Sequence, residues 1–147
     1  MERLVTEITG RGFKVSTVKH AHHSFDVDHA GKDSFRHRAA GATEVLLASR
    51  NRFALMHELR EEAEPSLADL LTQLSPVDLV LVEGYKRDAH LKIEAHRHVT
   101  GNPLIAPGDP TVRAIASDTP LDLDLPVFDL DDTVQIADFI LSEVGLC

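Results

Sequence analysis

The sequence predicts an α/β protein with a mostly parallel sheet, flanking helices and one β-hairpin. Strand-like segments alternate with segments of helical periodicity along the 147 residues, an order typical of parallel sheets covered by helices. The clearest strand, residues 78–82, contains four consecutive apolar residues, as strands buried on both faces do. Polar residues directly follow several strands, at the end of the sheet where such folds bind ligands.

The composition fits one domain over residues 1–147 and excludes several classes of ligand. Hydrophobic residues make up 43% of the chain, which is enough for a sizeable core. The net charge of −9, without a basic stripe, disfavours duplex nucleic acid, and 5% aromatic residues without Trp disfavour single strands. One cysteine, Cys147, suits a reducing cytoplasm. No signal peptide or membrane-length apolar run is present, so we expect a cytoplasmic protein.

The N-terminal third predicts a helix, a strand and a long polar connection. Residues 2–9 place apolar side chains on one helical face, and a glycine follows. Residues 14–18 are rich in β-branched side chains, which favours a strand. A short helix then begins at Asp33 or Ser34 and ends at Gly41.

The middle of the chain predicts a hairpin and an amphipathic helix. Residues 43–57 contain two apolar runs on either side of a polar turn at residues 50–52. Ser66 and Asp69 have the spacing of a capping box. The stripe that follows has helical periodicity and predicts core packing; it consists of Leu67, Leu70, Leu71 and Leu74.

The C-terminal part predicts three more strands and a last helix. Residues 91–96 alternate between apolar and polar side chains, which indicates a strand with one wet face near a sheet edge. Residues 112–116 and 127–128 are short apolar strands. Asp131 or Asp132 caps the last helix.

Three predicted strands end in polar residues, and parallel strands would bring these ends to one edge of the sheet. The ends are Lys19-His20, Glu83-Gly84 and Ser117-Asp118. Glu83 follows an apolar strand and precedes a glycine, the pattern of a Walker-B-like element whose carboxylate holds Mg²⁺ or orients water. The alternative for Glu83 is an ordinary exposed strand end.

The connection at residues 19–33 contains four histidines, three aspartates and two lysines, more polar groups than packing requires. Asp26 and Asp28 suit a hard cation such as Mg²⁺, or they serve turn chemistry. Lys32 precedes a helix N-terminus, which attracts anions. His20, His22 and His23 lack a zinc spacing.

The phosphate-binding pattern G-x-x-x-x-G-K-[ST] does not occur in these 147 residues. Gly31-Lys32 is the single Gly-Lys pair, and Asp33 follows it where Ser or Thr is required. The sequence therefore gives no Walker A loop to grip a nucleotide.

Four segments resemble the molybdopterin-guanine dinucleotide biosynthesis protein B (MobB) family, and the resemblance extends from about residue 2 to the last helix. They are K-H-A-H-H-S-F-D-V-D-H-A-G-K-D-S-F-R-H-R-A-A-G-A, R-F-A-L-M-H-E-L-R, V-D-L-V-L-V-E-G-Y-K and L-K-I-E-A-H-R. The first, residues 19–42, is the specific one.

This resemblance implies a P-loop NTPase-like fold, usually homodimeric, that binds GTP with Mg²⁺. The resemblance implies at most a weak GTPase activity. Proteins of this family assist a MobA-type guanylyltransferase, which attaches GMP to molybdopterin, so molybdopterin or its guanine dinucleotide is a further expected ligand. The alternative is a non-catalytic dimeric adapter that binds the transferase or the pterin without GTP.

The resemblance also implies roles for individual residues. Glu83 would be the catalytic Walker-B acid and would hold Mg²⁺. Asp26 and Asp28, which suit the same cation, would belong to the loop that faces nucleotide or pterin. Asp118 would accept two N–H bonds from guanine. The residues expected to bind nucleotide or pterin are Lys19, His20, Lys32, Asp33, Arg36, Gly84, Lys86 and Asp118.

One departure from the family changes the expected activity. The family begins with a strand and a Walker A loop ahead of its first helix, whereas Met1 here falls within that helix. We therefore expect this chain to lack both elements, to bind GTP poorly and to be inactive alone, because the Walker A backbone and lysine supply most of the phosphate contacts.

Overall fold

The computed structural model of this protein describes residues 1–21 and 25–147. The helices are α1 (Glu2–Gly10), α2 (Asp33–Ala39), α3 (Leu67–Leu71) and α4 (Thr133–Glu143). The strands are β1 (Val15–Lys19), β2 (Glu44–Ala48), β3 (Phe53–His57), β4 (Leu79–Glu83), β5 (Lys92–His96), β6 (Val112–Ser117) and β7 (Val127–Asp129). In this part of the chain, no helix is long and apolar enough to span a membrane.

The chain divides into two compact units. Unit 1 contains residues 1–20 and 75–147, and unit 2 contains residues 21–74. The single domain expected from the composition stays a prediction.

Unit 1 contains the parallel strands, as the sequence predicts, but they form two sheets. Strand β1 pairs with β4, from Val15 opposite Leu79 to Lys19 opposite Glu83. Strands β5, β6 and β7 pair in that order, all parallel, so the predicted edge position of β5 is confirmed. The expectation of one common sheet edge is wrong, because no described strand joins β4 to the β5–β6–β7 sheet.

Both strands of the first sheet begin one residue later than the sequence pattern suggests. The Lys14 backbone N–H donates to the Asp78 carboxylate at 2.7 Å, so the residues just ahead of the two strands are joined to each other. The shift makes Lys19 and Glu83 the last residues of paired strands. Their backbones are therefore held by the ladder.

One core cluster of unit 1 is formed by α1, α4 and β4. Ile8, Ala137 and Leu141 are buried against Leu79 and Leu81. The expected burial of β4 on both faces holds only in part, because its two valines are half-buried.

Unit 2 contains the predicted hairpin, in which β2 and β3 pair antiparallel from Glu44 opposite His57 to Ala48 opposite Phe53. The capping box of Ser66 and Asp69 is confirmed. The predicted core stripe on α3 is wrong: the helix ends at Leu71 and none of its residues is buried. A helix of five residues makes little more than one turn, so Leu67 and Leu74 do not share a helical face.

Candidate functional site

The pair Lys19 and Glu83 lies at the carboxyl ends of β1 and β4. Lys19 Nζ is 3.2 Å from Glu83 Oε1, and the two side chains are 71% and 47% exposed. An ion pair this exposed to water contributes little to stability. Both charged groups can therefore exchange partners with a ligand at low cost.

The turn that follows Glu83 is packed tightly against the end of β1. The His20 backbone N–H donates to the Glu83 carbonyl at 2.9 Å. Gly84 has a φ of +96°, and a Cβ added there would lie 2.7 Å from His20 Cβ. The close neighbour of Gly84 is therefore His20.

Tyr85 continues this turn with a φ of +49°. This left-handed conformation is unfavourable for any residue other than glycine. Its ring centroid is 4.8 Å from that of His20. Nothing in the sequence signals this conformation beyond the preceding glycine. Lys86 follows in the same loop and is exposed.

Asp118 follows β6 and therefore belongs to the second sheet. One of its carboxylate oxygens accepts the His98 backbone N–H at 2.8 Å, at the start of a 3₁₀ turn, His98–Thr100. The structure thus gives Asp118 a capping role. Its second oxygen has no described partner, and recognition of guanine stays a prediction.

The aspartates of the polar connection meet on an arginine, Arg38, for which the sequence did not predict this role. In unit 2 the Arg38 guanidinium donates to Asp26 at 2.9 Å, to Asp28 at 2.6 Å and to Glu58 at 2.7 Å. The side chains of Arg38 and Asp28 are only 14% and 3% exposed. Arg38 therefore ties the connection to α2 and to the residue after β3.

The hydrogen bonds of Arg38 shift the pKa of Asp28 and of Arg38 itself. Its hydrogen bond, helped by one from Ser34, holds the pKa of Asp28 below the ordinary value. The hydrogen bonds that Arg38 donates to Asp28, Glu58 and Asp26 in turn raise its own pKa. Asp26 and Asp28 are thus occupied by an internal cation, and no metal-binding group of three is found among the described residues. Their role as magnesium ligands stays a prediction.

The remaining predicted binding residues lie around the start of α2 in unit 2. Lys32 occupies the N-cap position and Asp33 is the first helical residue. Arg36 Nη1 is 4.0 Å from Asp33 Oδ1, and both side chains are more than 70% exposed. His22 and His23 lie outside the described residues.

Lys92 is a second cation that sequence reasoning missed, because alternation placed it on a wet face. Its ammonium donates to the carbonyls of Asp88 and His90, to Asp109 and to Thr111, and its side chain is 10% exposed. Lys92 thereby holds the loop after Glu83 to the segment that precedes β6.

The parallel strand pairs, the polar strand ends and the helices against them define an α/β protein with a P-loop NTPase-like fold. A crystal structure of molybdopterin-guanine biosynthesis protein B matches with a TM-score of 0.73 and 27% identity, over 97% of this chain and 88% of the other. A MobB homologue from Bacillus stearothermophilus matches with a TM-score of 0.70 and 26% identity, over 100% and 88%.

The family model described as molybdopterin guanine dinucleotide synthesis protein B matches residues 1–118. The chain belongs to this family, MobB. It is 40% identical to the molybdopterin-guanine dinucleotide biosynthesis adapter protein of Escherichia coli, over 97% of this chain and 83% of the relative. It is 41% identical to the protein of that name in Haemophilus influenzae, over 95% and 78%.

Proposed function

We propose that this chain is a cytoplasmic accessory protein of molybdenum cofactor biosynthesis. It assists the conversion of molybdopterin to molybdopterin guanine dinucleotide beside a MobA-type guanylyltransferase, and it binds GTP with Mg²⁺ at the ends of β1 and β4. The family and the adapter name of two relatives support the biosynthetic role.

The observation that carries the nucleotide part is the exposed pair of Lys19 and Glu83 on register-paired strand ends. A magnesium nucleotide needs a cation for its phosphates and a carboxylate for the hydrated metal. A phosphate would replace Glu83 as the partner of Lys19 and leave the carboxylate for Mg²⁺. Lys86, exposed in the adjoining loop, would add positive charge.

The second candidate function is an adapter that binds the transferase or the pterin without GTP. Two observations favour it. The 147 residues contain no G-x-x-x-x-G-K-[ST], and the magnesium candidates Asp26 and Asp28 are bound to Arg38. Under this alternative the Lys19–Glu83 pair is a surface ion pair.

Titration calorimetry with GTP, in the presence and absence of Mg²⁺, separates the two candidates. We expect weak binding that Mg²⁺ strengthens and that Glu83→Gln makes independent of Mg²⁺. Glu61→Gln, an exposed change in unit 2, is the matched control and should bind as the unmodified chain does. No heat with the unmodified chain would leave the adapter function as the better candidate.

We further propose that the protein is a homodimer through the hairpin. Alternation along β2 and β3 puts Leu46, Ala48, Phe53 and Leu55 on one face, and Leu46, Phe53 and Leu55 are 64%, 75% and 51% exposed. An isolated two-stranded sheet is marginally stable in water. A second copy of the same face would cover these side chains.

A further inference from the structure

A groove lies at the amino-terminal end of β6, where Val112 begins the strand. It has a volume of about 380 Å³ and lies wholly within unit 1. Pro107, Pro110 and Val112 line it together with Leu123 and Leu125. Its lining is therefore largely apolar.

The groove and Asp118 lie at opposite ends of the same strand. Val112 begins β6 and lines the groove, whereas Asp118 comes directly after Ser117, the last residue of β6. A strand rises about 3.3 Å per residue, so the two ends are roughly 17 Å apart. A molecule in the groove would leave the carboxyl end of β6 open.

The net negative charge of the chain is concentrated in its C-terminal segment, which contributes Leu123, Asp124 and Leu125 to the groove. Residues 114–147 contain eight acidic residues and no Lys, Arg or His. Six of the eight accept hydrogen bonds or form ion pairs within the chain: Asp118, Asp129, Asp131, Asp132, Asp138 and Glu143. Asp122 and Asp124 have no partner among the described residues.

The other charges of the groove are already paired. Arg113 Nε is 3.0 Å from Glu143 Oε2, and Asp109 accepts from Thr111 and Lys92. Asp124 is therefore the charge in the lining that lacks an internal partner. Asp124 lies between Leu123 and Leu125 in the sequence, and Leu123 is 36% exposed.

We propose that this groove docks a short segment of a partner protein in which a lysine or arginine adjoins a leucine-sized apolar side chain. Charge complementarity selects this occupant, because a cation would pair with Asp124 while the apolar side chain covers the proline and leucine lining. Nucleic acid is excluded by the same negative charge. The inference rests on the part of the proposed function in which this chain acts beside a partner protein, a part that both candidate functions share.

The test uses the full chain, labelled with ¹⁵N, and a synthetic peptide of alternating leucine and lysine. We expect amide shifts confined to residues 106–113 and 121–125, and binding that weakens as salt is added. Asp124→Lys should weaken binding about tenfold, since it replaces an attraction by a repulsion. Glu61→Lys changes the net charge equally in unit 2 and should leave binding unchanged.

Four results would overturn the proposal. They are equal weakening by Asp124→Lys and Glu61→Lys, equal binding of a leucine–glutamate peptide, shifts that lie elsewhere, and no shifts at millimolar peptide. A mass that falls to the monomer in Asp124→Lys would show that a second copy occupies the groove, and would also overturn it. No nucleotide enters the assay, so GTP binding can fail or succeed independently.

Discussion

Individual residues at the ends of β1 and β4 are held by their surroundings more tightly than their exposure suggests. Gly84 combines a left-handed backbone with a close approach to His20, two reasons that exclude a side chain. The neighbouring Lys19–Glu83 pair is open to water. A rigid backbone thus presents two exchangeable charges, which is the arrangement that a binding site requires.

Gly84→Ala tests this rigidity. We expect a loss of about 2 kcal/mol in the free energy of unfolding, because alanine adds backbone strain and a contact with His20 Cβ. Gly12→Ala is the matched control: Gly12 lies in the same unit with a φ of +95°, and a Cβ there would meet nothing within 4 Å. Equal losses for the two variants in urea unfolding would contradict the predicted contact.

Asp118→Asn tests whether Asp118 recognises guanine. The asparagine oxygen can still accept the His98 N–H, so the cap is preserved. Its amide NH₂ would donate a hydrogen bond to the 2-carbonyl of xanthine. It could not accept the hydrogen bond that the 2-amino group of guanine donates. We therefore expect the preference to shift from GTP towards xanthosine triphosphate, measured by competition binding.

An unchanged preference in Asp118→Asn would mean that Asp118 acts only as a cap. Asp122→Asn is the control, since Asp122 has no partner among the described residues. It should change neither stability nor base preference.

Among the elements, the β2–β3 hairpin combines an exposed apolar face with a charged base. We expect Phe53→Lys to convert a dimer to a monomer in sedimentation experiments, because it places a charge among the apolar side chains of the proposed interface. Asn51→Lys, an exposed change in the turn, should leave the mass unchanged. The same mass for Phe53→Lys and the unmodified chain would refute this interface.

The base of the hairpin is predicted to respond to pH. His57 Nδ1 is 2.8 Å from Glu44 Oε1 and its Nε2 is 3.4 Å from Glu62 Oε2, and hydrogen bonds to Glu44 and then Glu62 raise the pKa of His57. The stabilisation is complete below the unfolded-state pKa of about 6.5 and is lost as the pH rises through the raised folded pKa.

An NMR titration of His57 and the pH dependence of unfolding measure this effect. We expect His57→Gln to remove the excess stability at acid pH and to match the unmodified chain at alkaline pH. Added salt should reduce the difference, since His57 is 39% exposed. A pKa at or below the ordinary value would contradict the predicted ion pairs.

Elements with a local signal were predictable, and those that depend on distant partners were not. The hairpin turn and the Ser66 capping box are set by neighbours in sequence. The cluster around Arg38 joins residues from Asp26 to Glu58, and the spacing of those residues follows no motif. The sequence suggested metal ligands there because it does not show which cation lies closest.

At the scale of the whole molecule, the core of unit 1 connects the two ends of the chain. Ile8→Ala should lower the free energy of unfolding by about 3 kcal/mol, because Ile8 is fully buried among α4 and β4 side chains. Val134→Ala, in α4 and 52% exposed, should cost much less. Similar losses for both variants in urea unfolding would argue against this packing.

The class of fold followed from alternating strands and helices, whereas the arrangement of the strand ends did not. The sequence predicted polar ends after β1, β4 and β6, and the structure pairs Lys19 with Glu83 as expected. It places Asp118 on another sheet. Strand order depends on long-range pairing, which a single sequence does not encode locally.

Ile8 has one further consequence, for the protein as it is being made. Its core partners Ala137 and Leu141 are translated more than 120 residues later, and so are Asp131 and Asp138, which pair with Arg3 and Arg11. The apolar face of α1 is therefore not fully covered until the segment that forms α4 has been translated. Until then, the uncovered part of this apolar face is a potential site of aggregation.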